Sequence, residues 1–405
     1  LGALSHIRVL DLSRVLAGPW STQILGDLGA EIIKIEKPGE GDETRAFGPP
    51  FLADADGKKG DATYFLAANR NQKSVAIDFA RDDGAALIRQ LARRAHVVVE
   101  NFKTGTLARY GLDSETLQRD NPGLIYCSLT GFGHDGPYKE KAGYDYLIQG
   151  MGGLMSVTGQ PDGAPGAEPM KVGVAVSDLF TGLYTTIAIL AAVIHQSRTG
   201  EGQSIDMALF DCQAAALANQ AMNWLAGRMA PTRLGNAHPN IVPYQVFATA
   251  DGHLILAVAN DRQFVNFCRA AGCEGLAADT RFPTNADRVA HRAELVALLE
   301  PVLATLSTND WIARLEAANV PCGPINRIDQ VFADPHAIAR GLTVSLEHPT
   351  GPVALVASPL RLSATPPEYR SAPPLLGQHT DEVLRDALGL KDDRLASLRA
   401  RNIIG

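Results

Sequence analysis

One carboxylate stands at the head of an apolar run, Asp178 in "VGVAVSDLFTGLYTTIAILAAVIHQ", residues 172–196. An aspartate there can cap a helix beginning near Leu179, its oxygens accepting from free backbone N–H groups. The helix dipole keeps such a carboxylate ionised. An ionised carboxylate is also a nucleophile, able to attack a thioester carbonyl and form an acyl-enzyme anhydride. Spacing alone favours the cap, and the two roles are compatible. A second set of residues carries charge. Lys34, Lys37, Lys73, Lys103 and Arg109 fall at or just after strand-like segments. A polyphosphate would want cations there, although on charge alone a solvated face is the better reading.

Other chemistry is excluded by pattern. "GFGHDG" (131–136) matches G-x-G-x-x-G, but Pro137 and "YKEKAGYD" follow it instead of a helix able to hold a pyrophosphate. A glycine-rich turn is the better reading. There is no H-E-x-x-H, G-x-S-x-G or Walker loop, and the ten histidines are dispersed. The five cysteines (127, 212, 268, 273 and 322) form no C-x-x-C pair. They read as core thiols of a reducing compartment, with no metal site.

The elements that must position these groups alternate. "IRVLDLS" reads as a buried strand, "GPWSTQILGDLG" as a helix with proline in its first turn, and "AEIIKIEKP" as a second strand. "KSVAIDF", "RDDGAALIRQLARRA", "HVVVENF" and "GLIYCSLTGFG" repeat the pattern. Strand, helix, strand implies a parallel sheet, with ligands at the carboxyl ends of its strands. A buried helix is expected from Gly182 to His195, then a short strand and a long helix. After Pro231 a hairpin about Asp251-Gly252 and further helices mark a smaller α+β lobe. The tail has a Pro-rich linker and a helix that returns to the first lobe. The expected boundaries are 1–200 for the large α/β domain, 201–228 for a helical linker, 229–328 for the small domain and 329–405 for the returning part.

With 405 residues, 46% hydrophobic, two lobes are expected. The net charge of −7 with no basic tract argues against nucleic acid. The longest apolar run, Leu183 to Ile194, is too short to span a bilayer and contains Thr185 and Thr186. No signal or transit pattern precedes "HIRVLDLS", so a cytoplasmic protein is expected.

Several segments together resemble the class III CoA-transferase family, which includes formyl-CoA transferase, carnitine CoA-transferase and α-methylacyl-CoA racemase. They are "RVLDLSRVLAGPWSTQILGDLGAEIIKIEKPGEGDETR", "NRNQKSVAIDF", "VVVENFKTGTLARYGL", "GYDYLIQGMGGLM", "VGVAVSDLFTGLY" and "LLGQHTDEVL". "GNAHPNIVPYQVFATADG" and "VPCGPINRIDQVFADP" bring it nearest to succinate/glutarate-type enzymes. The resemblance implies a Rossmann-like α/β large domain, a small domain and an interlocked homodimer. It implies that Asp178, in D-x-x-x-G, is the catalytic nucleophile. It implies CoA contacts at Leu16, Ala17, Lys37, Asn101, Phe102 and Arg109, with Tyr144 and Asp145 in the tyrosine-acid pair. Lys37 replaces the arginine of formyl-CoA transferase, keeping charge without the bidentate geometry. Racemases carry Gly-His-Asp where this chain has Gly143-Tyr144-Asp145, which removes one of two bases and disfavours a racemase-type isomerase. The implied reaction moves CoA between an acyl-CoA and a carboxylic acid, with the CoA thioester as substrate and no metal or redox cofactor. Backbone N–H groups of Gly152 and Gly153 are candidate oxyanion donors. Arg45, Arg233 and His238 are candidates for a dicarboxylate's distal charge.

Overall fold

Near-continuous apolar strands separated by helices, such as "EIIKIE" and "VVVE", bury both faces of a parallel sheet. The structure, a computed structural model, describes residues 2–53, 57 and 59–405. Six strands form one parallel sheet: β1 (Arg8–Asp11), β2 (Glu31–Glu36), β3 (Gln72–Ala76), β4 (Val97–Glu100), β5 (Ile125–Thr130) and β6 (Ser204–Ala208), in the order β3-β2-β1-β4-β5-β6. Successive side chains serve opposite faces. Val9 and Val97 join Leu25, Ile125 and Ile189 on one side, while Leu10 and Val98 join Ile33, Ile88 and Leu91 on the other. Each fully buried aliphatic side chain contributes about 1.5–3 kcal/mol.

The first face is covered by α1 (Ala17–Asp27) and by the long α4 (Val176–Thr199), which pack against each other. The second is covered by α2 (Asp82–Ala92) and by the C-terminal helices α9 (Thr380–Leu388) and α10 (Asp392–Ala400), which place Leu384, Leu395 and Leu398 in the same cluster as Leu10. The returning tail thus completes the sheet's second layer. Between β5 and α4 lies α3 (Asp145–Met151), and β6 leads into α5 (Leu209–Ala216).

Two units divide the chain. The first holds Leu1–Leu154, Val172–Gly227 and His336–Gly405, and the second holds Met155–Lys171 and Arg228–Pro335. Segment 201–228, read as a linker, instead supplies the edge strand β6 and two short helices to the first unit, because β6 pairs in register with β5. The expected long helix is broken at Ala218, whose φ is +45°. In the second unit β7 (Tyr244–Ala248) and β8 (His253–Ala257) form the hairpin about Asp251-Gly252, extended by β9 (Cys322–Gly323). Helices α6 (Asp261–Ala271), α7 (Arg292–Leu303) and α8 (Thr308–Ala317) bury Phe264, Leu299 and Trp311 on it. The five thiols are unpaired. Helix α4 is long and apolar enough to cross a membrane by length and composition, but half of that stretch is buried within the chain.

Candidate active site

The loops after β1, β4 and β5 meet the first turn of α4 around a cavity of about 240 Å³. Its wall includes Leu16, Ala17, Asn101, Phe102, Tyr144, Asp145 and Asp178. An adjoining cavity of about 380 Å³ lies at the ends of β2 and β3 and is lined by Lys37, Ile77, Phe79 and Tyr110. Arg14 and Phe102 belong to both walls. The two cavities therefore lie where a parallel sheet is expected to bind its ligand.

Asp178 is not the N-cap. Helix α4 starts at Val176, and the residue before it, Ala175, offers no side-chain cap. Asp145 supplies the cap from α3. Its Oδ1 accepts from the Ser177 amide at 2.8 Å and from the Asp178 amide at 3.3 Å. Asp178 is left in the first turn with its own carboxylate free to face the cavity, and no described side chain donates to it. Burial and the neighbouring Asp145 charge push its pKa up to about 7, outweighing the helix dipole that alone would hold it low. This carboxylate is desolvated, unpaired and open to a ligand.

The β1–α1 loop is shaped by strain. Val15, β-branched, sits at φ +69°, a conformation costing about 1–3 kcal/mol that its surroundings must hold. The Asn101 side chain grips the preceding residue at both ends, accepting from the Arg14 amide at 2.9 Å and donating to the Arg14 carbonyl at 2.7 Å. Asp42 accepts from the Val15 amide at 3.2 Å. Asp42 in turn is paired at 3.0 Å with Lys34, a fully buried lysine whose Nζ also donates to the Ser13 carbonyl at 2.9 Å. Asn101 and Lys34 thus set the loop that presents Leu16 and Ala17. Phe102 carries the Arg14 guanidinium over its ring, with 4.5 Å to the centroid.

Several expected residues have other places. Gly152 and Gly153 line neither cavity, and their amides already donate to the carbonyls of Ile148 and Gly150. At the end of α3 both amides therefore already have carbonyl partners. Gly152 is small for another reason, since an added Cβ would lie 2.6 Å from Gln213 Cγ. Arg109 is exposed on the short turn Leu107–Tyr110 and lines neither cavity. Lys37 lines the second cavity and pairs with Glu40 at 2.6 Å. Arg45 is buried and committed to Glu36 and Asp61, at 2.8 and 2.6 Å. Arg233 and His238 lie in the second unit, the former bonded to Gln160 and Asp162. Gly131 of the "GFGHDG" turn meets Gly143, where a Cβ would come 2.4 Å from the opposing Cα, so that glycine serves a backbone crossing. Arg14, Lys139 and Lys141, all in the first cavity's wall, carried no distinguishing sequence signal.

An aspartate in D-x-x-x-G, set in a cavity at the sheet's carboxyl edge with Tyr144 and Asp145, accompanies a family match along nearly the whole chain. Residues 4–380 match CoA-transferase family III. The chain belongs to that family. It is a CoA-transferase. It is 53% identical over 384 residues to the succinate–glutarate CoA-transferase of Agrobacterium fabrum, covering 95% of each. It is 40% identical to the human succinyl-CoA:glutarate CoA-transferase, covering 99% of this chain and 90% of that one. Among solved structures it is similar to a CAIB/BAIF family protein from Brucella suis, with 49% identity, a TM-score of 0.84, and coverage of 95% of this chain and 99% of that one. The D-x-x-x-G glycine has its own geometry in this CoA-transferase. Gly182 lets α4 approach α1 so closely that a Cβ would lie 2.7 Å from the Ala17 carbonyl.

Proposed function

We propose that this enzyme transfers CoA from succinyl-CoA to a second dicarboxylate, with Asp178 as the covalent carrier. The observation that supports this most is the Asp178 carboxylate itself, lining a cavity with no donor to quench it and carrying a pKa near 7. The relatives' names, succinate–glutarate and succinyl-CoA:glutarate CoA-transferase, point to the succinyl group. In this reading the CoA nucleotide occupies the cavity beside Lys37 and the pantetheine arm passes Arg14 and Phe102 toward Asp178.

The ionised Asp178 attacks the thioester carbonyl, forming an aspartyl–succinyl anhydride and releasing CoA thiolate. The thiolate attacks the aspartyl carbonyl, leaving an aspartyl-CoA thioester and free succinate. The acceptor carboxylate attacks that thioester, giving a new anhydride and thiolate. The thiolate then attacks the acceptor's acyl carbon, which frees acyl-CoA and Asp178. Every step exchanges one acyl bond for another and balances without a metal or redox cofactor. Thioester and acid exchange at nearly equal free energy, so the enzyme's task is positioning and exclusion of water. Four cations stand in the cavity wall, Arg14, Lys103, Lys139 and Lys141; Arg14 pairs with Glu43 and Lys103 faces Glu140, so Lys139 and Lys141 are the ones offered to the distal carboxylate, in place of the buried, paired Arg45. The protein works as a homodimer in the cytoplasm, its chains interlocked. The exposed Tyr184, Ile187 and Ile194 of α4 and Trp224 and Leu225 beyond it support a buried subunit contact.

The test incubates the enzyme with succinyl-CoA and a panel of dicarboxylates and identifies new CoA esters by mass spectrometry. New esters formed one for one with succinate support the reading. Esters formed only by α-proton exchange on a 2-methylacyl-CoA, with no acid acceptor, overturn it in favour of an isomerase.

A further inference from the structure

Asp145 has two oxygens, and only one of them caps α4. The other, Oδ2, accepts from Gln149 Nε2 at 2.7 Å. Gln149 lies one turn along α3 from Asp145, on the same side, and is fully buried. Its amide is used at every point. Oε1 accepts from the Val172 amide at 2.9 Å, and Nε2 also reaches the Val174 carbonyl at 3.3 Å. Val172 and Val174 are the residues through which the chain re-enters the first unit before α4 begins. One side chain therefore fixes both the approach to the nucleophile's helix and the carboxylate that caps it.

We propose that Gln149 is the positioning residue of the nucleophile: it holds Asp145 rotated so that Oδ1 binds the α4 amides and Oδ2 stays turned away from Asp178. Without it, the Asp145 carboxylate is free to turn its second oxygen toward the cavity. The first turn of α4 would then lose its anchor on the side from which substrate enters. A second bracket supports the same turn: the Ser177 hydroxyl, adjacent to Asp178, donates to Gln213 Oε1 at 2.8 Å. A fully buried amide satisfied at donor and acceptor alike costs little to keep and much to disrupt. Among the described residues its side-chain hydrogen bonds run to Asp145 and the re-entry segment, and it lines neither cavity, so it acts on geometry and not on CoA affinity. This inference rests on the reading of Asp178 as the carrier.

The test exchanges the two partners. Gln149→Glu keeps the shape and removes the donor toward Asp145, so kcat falls about 10–100-fold while KM for succinyl-CoA stays within about twofold. Asp145→Asn in the same chain offers an Nδ2 donor to the new carboxylate and rebuilds the bond with its polarity reversed. The doubly substituted enzyme is then faster than Gln149→Glu alone. A double variant no faster than Gln149→Glu, or a Gln149→Glu enzyme whose KM rises in step with its lost kcat, overturns the proposal. Gln149→Met, measured for kcat and KM beside it, covers failure of the charged variant to fold and is expected to show the same split. If the unsubstituted enzyme transfers no CoA at all, the functional reading fails. If it transfers normally but the exchange gives no rescue, only the positioning role fails.

Discussion

At the scale of residues, the balance between two opposed effects on Asp178 decides how the enzyme responds to pH. The helix dipole lowers a carboxyl pKa, whereas burial and Asp145 raise it, and here they bring it to about 7. Asp145 and Tyr64 are the titratable neighbours that share its electrostatics. Asp178 is ionised above that value, so in the proposed role of nucleophile it makes kcat fall by about tenfold per unit as pH drops below 7; a pH profile under saturating substrate checks it. Stability runs the other way. A carboxyl with a raised folded pKa favours the fold when protonated, and that contribution is lost as pH rises from about 4 through 7. Asp178→Asn is therefore expected to stabilise the protein by about 2–4 kcal/mol at pH 8 and by roughly nothing at pH 4. Melting curves at the two pH values measure this; equal shifts at both would contradict it.

At the scale of elements, α1 and α4 carry the site jointly, and Gly182 sets their separation. Gly182→Ala puts a carbon 2.7 Å from the Ala17 carbonyl and 3.0 Å from the Trp20 ring. We expect about 1–3 kcal/mol of lost stability and a larger loss of kcat, since Asp178 and Leu16 move apart. Gly275→Ala, whose added carbon meets nothing, is the control and should leave both unchanged. The strands and most helices were legible because alternation and amphipathic spacing are local. The start of α4 was not. Ala175 and Val176 carry no capping chemistry, and the cap comes from Asp145, a long-range partner invisible to local pattern. For the same reason Asp178 read as the cap it only adjoins. Asn101 was found by resemblance to a family contact, yet its side chain is spent on the Arg14 backbone. Gln149 gave no signal at all, because a glutamine in a helix is ordinary until its three partners, Asp145, Val172 and Val174, are known.

At the scale of the molecule, the tail is part of the core. Val383, Leu384, Leu395, Leu398 and Ile404 share a cluster with Leu10 and Ile33 beneath β1 and β2. Deleting residues 380–405 should therefore abolish cooperative melting, measured by calorimetry; a truncated chain with an unchanged transition would contradict that placement. Light scattering on the eluted protein is expected to give twice the chain mass of 43.1 kDa. Cargo carried on Asp178 leaves a covalent trace, read by acid-quenching the enzyme with succinyl-CoA, without acceptor, and taking the intact mass and its peptide map. The expected product is CoA bound covalently on the peptide containing Asp178, with no adduct in Asp178→Asn. An adduct elsewhere, or full turnover by Asp178→Asn with no adduct at all, would contradict it.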